Sequence, residues 1–94
     1  MNPDVVIVFP AYNAESTLSP VVKGLRQFLP GAQIIGVNDG SADGTGALLR
    51  KLCDRSIDFT VNRGKGAALR AGFAAALESD FRAVLTIDSD GQHD

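Results

Sequence analysis

Short apolar runs alternate along the chain with segments in which apolar residues recur every three or four positions. The runs are rich in β-branched residues, which is typical of strands covered on both faces of a sheet. They occupy residues 5–9, 34–37, 57–61 and 83–87. The segments between them have the period of amphipathic helices. This alternation predicts an α/β fold: a Rossmann-like parallel sheet with helices on both faces and right-handed crossovers.

Local signals refine the helices. Ser16 or Thr17 suits the N-cap of the first helix, with Pro20 in or near its first turn, where a missing N–H costs least. The apolar positions that define the third helix are Leu69, Phe73, Ala76 and Leu77. Small residues such as Gly72 and Ala75 would let this helix lie close to the sheet.

Polar and glycine-rich loops follow all four predicted strands, at residues 10–15, 38–44, 62–66 and 88–94. Ligands of such sheets bind beyond the carboxyl ends of the strands. We therefore expect the four loops to meet at one edge of the sheet and to build a single site.

The last of these loops has the composition of a metal site. Asp88 and Asp90 follow the fourth run, and residues i and i+2 of an extended backbone point the same way. Mg²⁺ and Mn²⁺ prefer a few carboxylates together with water and substrate phosphates, and Gln92 adds a neutral oxygen at the same spacing. The alternative is a solvated acidic turn. We favour the metal site because the segment ends a strand of a βα array.

Two other loops offer groups for a nucleotide. Asp39 can accept hydrogen bonds from a base or a sugar, or can form an Asx turn. Tyr12, close to Pro10, can stack on a planar base, or can pack on the helix that follows. Asn13 or Glu15 can contact a sugar hydroxyl.

A glycine-rich loop precedes the third helix. Residues 62–66 (Asn-Arg-Gly-Lys-Gly) combine glycines that admit a ligand to the backbone with two cations near a helix N-terminus, which favours phosphate. The alternative is a solvated turn. The loop is not a P-loop, and Leu69 stands where a dinucleotide fingerprint has its third glycine. An NAD-binding domain is therefore disfavoured.

Composition limits the remaining choices. With 94 residues the chain is one small domain, and 45% hydrophobic residues support a packed core. A net charge of −2 gives no electrostatic basis for binding nucleic acid. Cys53 is the one cysteine, so no internal disulfide forms, and its place on an apolar stripe indicates a small core residue. A secretory signal and an apolar run of membrane-spanning length are both missing from the sequence.

Four motifs, taken together in this order and spacing, resemble family 2 glycosyltransferases of the GT-A fold, and especially the polyprenyl- and dolichyl-phosphate sugar transferases. They are the segments 6–15 (VIVFPAYNAE), 37–45 (VNDGSADGT), 62–69 (NRGKGAAL) and 88–94 (DSDGQHD). The resemblance covers the whole chain.

The resemblance implies a UDP- or GDP-sugar donor, an inverting transfer and a polyprenyl phosphate as acceptor. It implies that Asp39 holds the base and that Asp88 and Asp90 form the metal-binding DxD motif for Mg²⁺ or Mn²⁺, with Gln92 as a further metal contact. The residues expected to bind the nucleotide sugar are Pro10, Tyr12, Asn13, Glu15, Asp39, Gly40, Arg63, Lys65, Asp88, Ser89 and Asp90.

The sequence departs from the family pattern in two loops and in length. Ala14 and Asn38 stand where many members have acids, and a family catalytic domain is more than twice as long. We therefore expect residues 1–94 to be the donor-binding half, without the acceptor-binding half or a catalytic base, and inactive alone. The alternative is a non-catalytic nucleotide-binding module.

Two further expectations follow from this reading. An uncovered sheet edge would favour self-association. The full-length protein is expected in the cytoplasm, at the cytoplasmic face of a membrane.

Overall fold

The computed structural model describes residues 4–87, which form four strands and three helices in strict alternation. The strands are β1 (Val5–Ala11), β2 (Gln33–Asp39), β3 (Arg55–Phe59) and β4 (Ala83–Thr86). The helices are α1 (Glu15–Phe28), α2 (Thr45–Leu52) and α3 (Lys65–Ala76). The element order predicted from the apolar pattern is confirmed.

All described strand pairs are parallel, and the sheet has the order β3-β2-β1-β4. The chain steps outward from β1 through β2 to β3, and α3 then returns it across the sheet to β4 on the other side of β1. Strand order therefore reverses beside β1. At such a switch point the loops leave the sheet in opposite directions and open a crevice, where open α/β sheets bind their ligands.

Helices α1 and α2 cover one face of the sheet. Their apolar stripes meet the side chains that β1 and β2 direct to that face. The fully buried members of this core are Ile7, Phe9, Leu18, Ile34 and Leu49. Burying side chains of this size contributes about 1.5 to 3 kcal/mol each. The strand ends that carry the predicted site are thus fixed by this core.

Helix α3 covers the other face through its smallest residues. Its buried positions are Ala68, Gly72, Ala75 and Ala76. A Cβ on Gly72 would lie 2.2 Å from Cγ1 of Val8, so the helix backbone rests directly on β1. The close approach predicted for this helix is confirmed. Of the larger apolar residues predicted to define this helix, Leu69 is partly buried, whereas Phe73 is exposed, as is Leu77, which follows the helix and is 75% exposed.

β1 and β2 extend two residues beyond the ends of the predicted runs, and the other two strands differ further. The apolar pattern predicts a fourth strand covered on both faces, but β4 lies at an edge of the sheet and Leu85 is 40% exposed, so this prediction is wrong for the described residues. β3 spans Arg55–Phe59 rather than residues 57–61, because Arg55 pairs with Ile35 and the chain after Phe59 turns back toward the end of β2.

Cys53 follows α2 and packs with the partly buried residues around the first core. Burial raises the pKa of its thiol to about 11. A thiol of this kind stays protonated at neutral pH and is a poor nucleophile. The structure thus agrees with the interpretation of Cys53 as a small packing residue.

Within residues 4–87, no helix is both long enough and apolar enough to cross a membrane.

Candidate functional site

A cavity of about 180 Å³ opens at the carboxyl ends of β1 and β2, against the N-terminus of α3. Its lining residues are Pro10, Ala11, Tyr12, Asp39, Asn62, Gly64 and Lys65. The loops after three successive strands therefore meet at one edge, as the topology predicts. Tyr12 is 47% exposed, so its ring remains available to a planar ligand.

Asp39 is the buried carboxylate of this cavity, with only 4% of the residue exposed. Its Oδ1 accepts a hydrogen bond from the backbone N–H of Arg63 at 2.6 Å. Its Oδ2 accepts from the backbone N–H of Gly64 and from Nδ2 of Asn62, both at 3.0 Å. A buried carboxylate is tolerated when donors of this kind surround it. Asp39 therefore ties the β3–α3 loop to the end of β2.

Gly40 makes this tie sterically feasible. Its φ is +71°, and a Cβ there would lie 2.3 Å from the backbone N of Asn62 and from the backbone C of Val61. Only glycine combines this left-handed backbone with such a close approach of a second chain segment. Gly40 thus allows the β3–α3 loop to approach the end of β2 closely, and it offers no side chain to the cavity.

The β1–α1 loop is joined to the β2–α2 loop by reciprocal hydrogen bonds. Oγ of Ser41 accepts from the backbone N–H of Asn13, and Oδ1 of Asn13 accepts from the backbone N–H of Ala42, both at 2.9 Å. Asn13 has φ +48°, a conformation that asparagine tolerates better than most residues. Its side chain is thereby committed to the neighbouring loop.

The start of α1 contacts the same neighbouring loop and the first residue of α2. The backbone N–H groups of Ala14 and Glu15 donate to Oγ1 of Thr45 at 2.9 Å and to Oδ2 of Asp43 at 3.3 Å. In return, Oε1 of Glu15 accepts from the backbone N–H of Gly44 at 3.1 Å. These distant side chains satisfy the free N–H groups that begin a helix.

The expected N-cap at Ser16 or Thr17 is therefore wrong: α1 begins at Glu15, and both residues lie inside it. Pro20 consequently lies inside the helix, beyond its first turn.

Asp43 is the charged centre of this contact. The Thr45 hydroxyl that donates to its carboxylate holds the pKa of Asp43 below its ordinary value, and backbone N–H donors add to the effect. The carboxylate is thus ionised in the folded protein at neutral pH. It acts as a local cap and not as part of the cavity wall.

Of the two cationic residues predicted to bind the nucleotide, Lys65 lines the cavity and Arg63 does not. The guanidinium of Arg63 stacks over the Phe59 ring, 4.7 Å from its centroid, and Arg63 is not among the residues that line the cavity. Lys65 begins α3 and lines the cavity. A cation at a helix N-terminus, where backbone N–H groups point outward, gives this end of the cavity a preference for anions.

A second cavity, also of about 180 Å³, lies against Pro10, Lys65, Leu69, Thr86 and Ile87. It shares Pro10 and Lys65 with the first, so the two form a path from Asp39 toward the end of β4. The predicted residues Asp88, Ser89, Asp90 and Gln92 follow directly in the sequence and lie outside the described residues. In the described range, 4–87, no group of three or more His, Cys, Asp or Glu residues is placed to hold a metal ion.

The structure thus brings four of the predicted residues to one cavity, namely Pro10, Tyr12, Asp39 and Lys65. It places Asn13 and Glu15 in the contact between loops, outside that wall. Asn62 lines the cavity as well, although the motif analysis predicts no individual role for it. The available signal was its position: an amide directly after a strand, in the loop that faces the end of a neighbouring strand bearing an acid.

Comparisons of the sequence with a family model and with known proteins both find glycosyltransferases. The family model described as "Glycosyl transferase family 2" matches residues 6–94. The chain is 34% identical to the polyprenol monophosphomannose synthase of Mycolicibacterium smegmatis, over 94% of this chain and 36% of that protein. It is 34% identical to the undecaprenyl-phosphate mannosyltransferase of Micrococcus luteus, over 95% of this chain and 39% of that protein.

A human dolichyl-phosphate beta-glucosyltransferase is 32% identical, over 90% of this chain and 30% of that protein. The crystal structure of S. aureus TarS 1-349 superposes with a TM-score of 0.71 at 20% identity, covering 93% of this chain and 27% of that one. This structural likeness supports the α/β fold. The chain spans about a third of the length of the curated relatives it matches.

Proposed function

Because the chain belongs to glycosyl transferase family 2, we propose that residues 1–94 form the nucleotide-sugar-binding part of a glycosyltransferase. The observation that carries the proposal is the cavity built around Asp39. An aromatic ring, a buried carboxylate and a cation at a helix N-terminus line one space at the carboxyl edge of a parallel sheet. These are the groups that a base, a ribose and a diphosphate require.

Each group has a separate task in this proposal. Tyr12 stacks on the base, and the lone pair that remains on Oδ1 of Asp39 accepts from an N–H or O–H of the nucleoside. Lys65 and the first turn of α3 balance the charge of the diphosphate. The donor would be a UDP- or GDP-sugar, since uracil and guanine both carry a ring N–H that can donate to a carboxylate.

The metal would be held by the segment that follows β4. Asp88, Asp90 and Gln92 offer the hard oxygen donors that Mg²⁺ or Mn²⁺ prefers, and Ser89 lies between the two acids. β4 ends beside the second cavity, which Lys65 also lines. When bound, the ion would neutralise the charge that develops on a departing diphosphate.

The acceptor would be a lipid phosphate. The relatives are named for polyprenol, undecaprenyl phosphate and dolichyl phosphate. A phosphate acceptor is already anionic, so an inverting displacement on it needs little help from a protein base. No residue between 4 and 87 is assigned as a base. Such an acceptor would bring the full-length protein to a membrane face.

Calorimetric titration with UDP- and GDP-sugars, with and without Mn²⁺, tests donor binding by this chain. We expect one nucleotide to bind and the metal to strengthen that binding. Asp90→Ala should abolish the metal effect, whereas Asp94→Ala, which removes a carboxylate from the same segment but not a proposed ligand, should keep it. Equal binding with and without metal would overturn the metal site.

An assay of sugar transfer to a polyprenyl phosphate tests whether this chain only binds the donor. We expect the 94-residue chain to bind the donor without transferring its sugar, because it spans only a third of its relatives. Efficient transfer by this chain alone would contradict the proposal that it forms only the donor-binding part.

A further inference from the structure

Asn62 is held by Asp39 through both the backbone and the side chain of that residue. Its Nδ2 donates to the carbonyl O of Asp39 at 3.2 Å and to Oδ2 at 3.0 Å. An amide that donates to two acceptors on one residue has its rotamer and its O/N orientation fixed by the hydrogen-bond network. Asn62 is nevertheless exposed, and it lines the cavity.

The same carboxylate fixes the next two residues through their backbone. Arg63 and Gly64 donate their N–H groups to the two oxygens of Asp39. Three consecutive residues therefore close on one buried acid. We refer to Asp39 and residues 62–64 as the clasp. The Arg63 guanidinium stacks on Phe59, and Arg63 is not among the residues that line the cavity.

The clasp determines where the N-terminus of α3 lies. Gly64 precedes the helix and Lys65 begins it, and both line the cavity together with Pro10 and Tyr12. If the loop lifted from Asp39, that wall would move away from the Tyr12 side and the cavity would lose its shape. The contact between Asn62 and Asp39 spans 23 residues of sequence, so local propensity alone does not maintain it.

We propose that Asn62 is a positioning residue for nucleotide binding: it orients the Asp39 carboxylate and closes the β3–α3 loop on the cavity. This inference rests on the proposed function, because the ligand it serves is the nucleotide. It adds a residue that neither charge nor aromatic character would single out. Two hydrogen bonds are lost on removal of the amide, one of them to a charged group, so we expect at least about a tenfold loss of affinity.

The test compares three variants by nucleotide titration and by amide hydrogen exchange. Asn62→Ala removes the amide, and Asn62→Asp keeps its shape but sets a second carboxylate against Asp39. Gln27→Ala, on the exposed face of α1, removes a carboxamide elsewhere and serves as the control. Titrants are UDP and GDP with Mn²⁺, and exchange is followed at the N–H groups of Arg63 and Gly64 without nucleotide.

We expect both Asn62 variants to remain folded, to lose protection at Arg63 and Gly64, and to bind nucleotide at least about tenfold more weakly. Asn62→Asp should be the weaker of the two, because the like charges repel. If Asn62 were merely solvated, both Asn62 variants would match Gln27→Ala in nucleotide affinity and in amide protection. That result would overturn the inference. If the wild-type chain bound neither nucleotide, the proposed function would fail, and hydrogen exchange would still decide whether the clasp exists.

Discussion

Asn38 and Asp58 lie directly opposite each other on β2 and β3, and Nδ2 of Asn38 donates to Oδ1 of Asp58 at 2.9 Å. Oδ1 of Asn38 accepts from the backbone N–H of Ser41, so the amide uses both of its ends. Arg50 completes the group by donating to Oδ2 of Asp58. An acid at position 38, as the family pattern often has, would face Asp58 without a donor between them. The amide of Asn38 therefore supplies the donor that the carboxylate of Asp58 requires.

Asn38→Asp should therefore destabilise the fold by about 1 to 3 kcal/mol, because it replaces a hydrogen bond with a half-buried repulsion. Urea denaturation of the single variants and of the double variant Asn38→Asp/Asp58→Asn measures the coupling. The second change restores a donor between the two positions, so most of the lost stability should return. Strictly additive effects would show that the pair does not interact.

Gly40 is expected to be the least replaceable residue of the site. Gly40→Ala places a Cβ against the backbone of Val61 and Asn62 in addition to straining φ. Gly64→Ala provides the matched comparison, since its φ is +96° but nothing lies within 4 Å of its Cβ position. Backbone strain costs about 1 to 3 kcal/mol in either variant.

We expect Gly40→Ala to lose at least about 1 kcal/mol more than Gly64→Ala, because overlap with packed atoms adds to strain. Denaturant midpoints of the two variants give the difference. Equal losses would mean that the β3–α3 loop does not rest on Gly40 in solution.

Gly72 allows α3 to contact β1, and its replacement should be costly. Gly72→Ala forces a Cβ into Val8 and should destabilise by about 1 to 3 kcal/mol. In a Val8→Ala background the same substitution should cost less, because the clashing methyl group is absent. Gly24→Ala, in α1 with nothing within 4 Å of its Cβ position, should instead gain about 0.5 to 1 kcal/mol.

Thermal unfolding midpoints of these glycine variants measure the changes in stability, and Gly72→Ala should have a lower midpoint than Gly24→Ala. A neutral Gly72→Ala would contradict the close contact between α3 and β1.

The sequence predicts the elements of this fold because burial follows a simple period in each of them. It also predicts that Tyr12, Asp39 and Lys65 come together, since parallel strands bring their carboxyl ends to one edge. It does not predict the partners of Asn62 or Glu15, because each partner lies more than 20 residues away and depends on how two loops close. For the same reason the predicted N-cap is wrong: the side chains that accept from the first N–H groups of α1 are Asp43 of the β2–α2 loop and Thr45 at the start of α2.

Acid stability should report on the contact between the β1–α1 and β2–α2 loops. The pKa of Asp43 is lower in the folded protein than its ordinary value of 3.8, chiefly because the Thr45 hydroxyl donates to it. A lowered pKa stabilises the fold at pH values above the unfolded value, and this contribution disappears as pH falls through the folded value. The free energy of unfolding should therefore decrease as pH is lowered below about 4.

Three variants isolate this contribution in denaturation curves between pH 6 and pH 2.5. Asp43→Asn removes the titrating group, so its curve should be flatter on the acid side than that of the wild type. Thr45→Val removes the main donor and should flatten the curve while lowering stability at every pH, since Oγ1 of Thr45 also accepts from Ala14. Ser41→Ala removes a hydroxyl that bonds Asn13 and leaves Asp43 untouched, so it should lower stability equally at all pH values. An unchanged acid slope in Asp43→Asn would show that the carboxylate does not hold the two loops together.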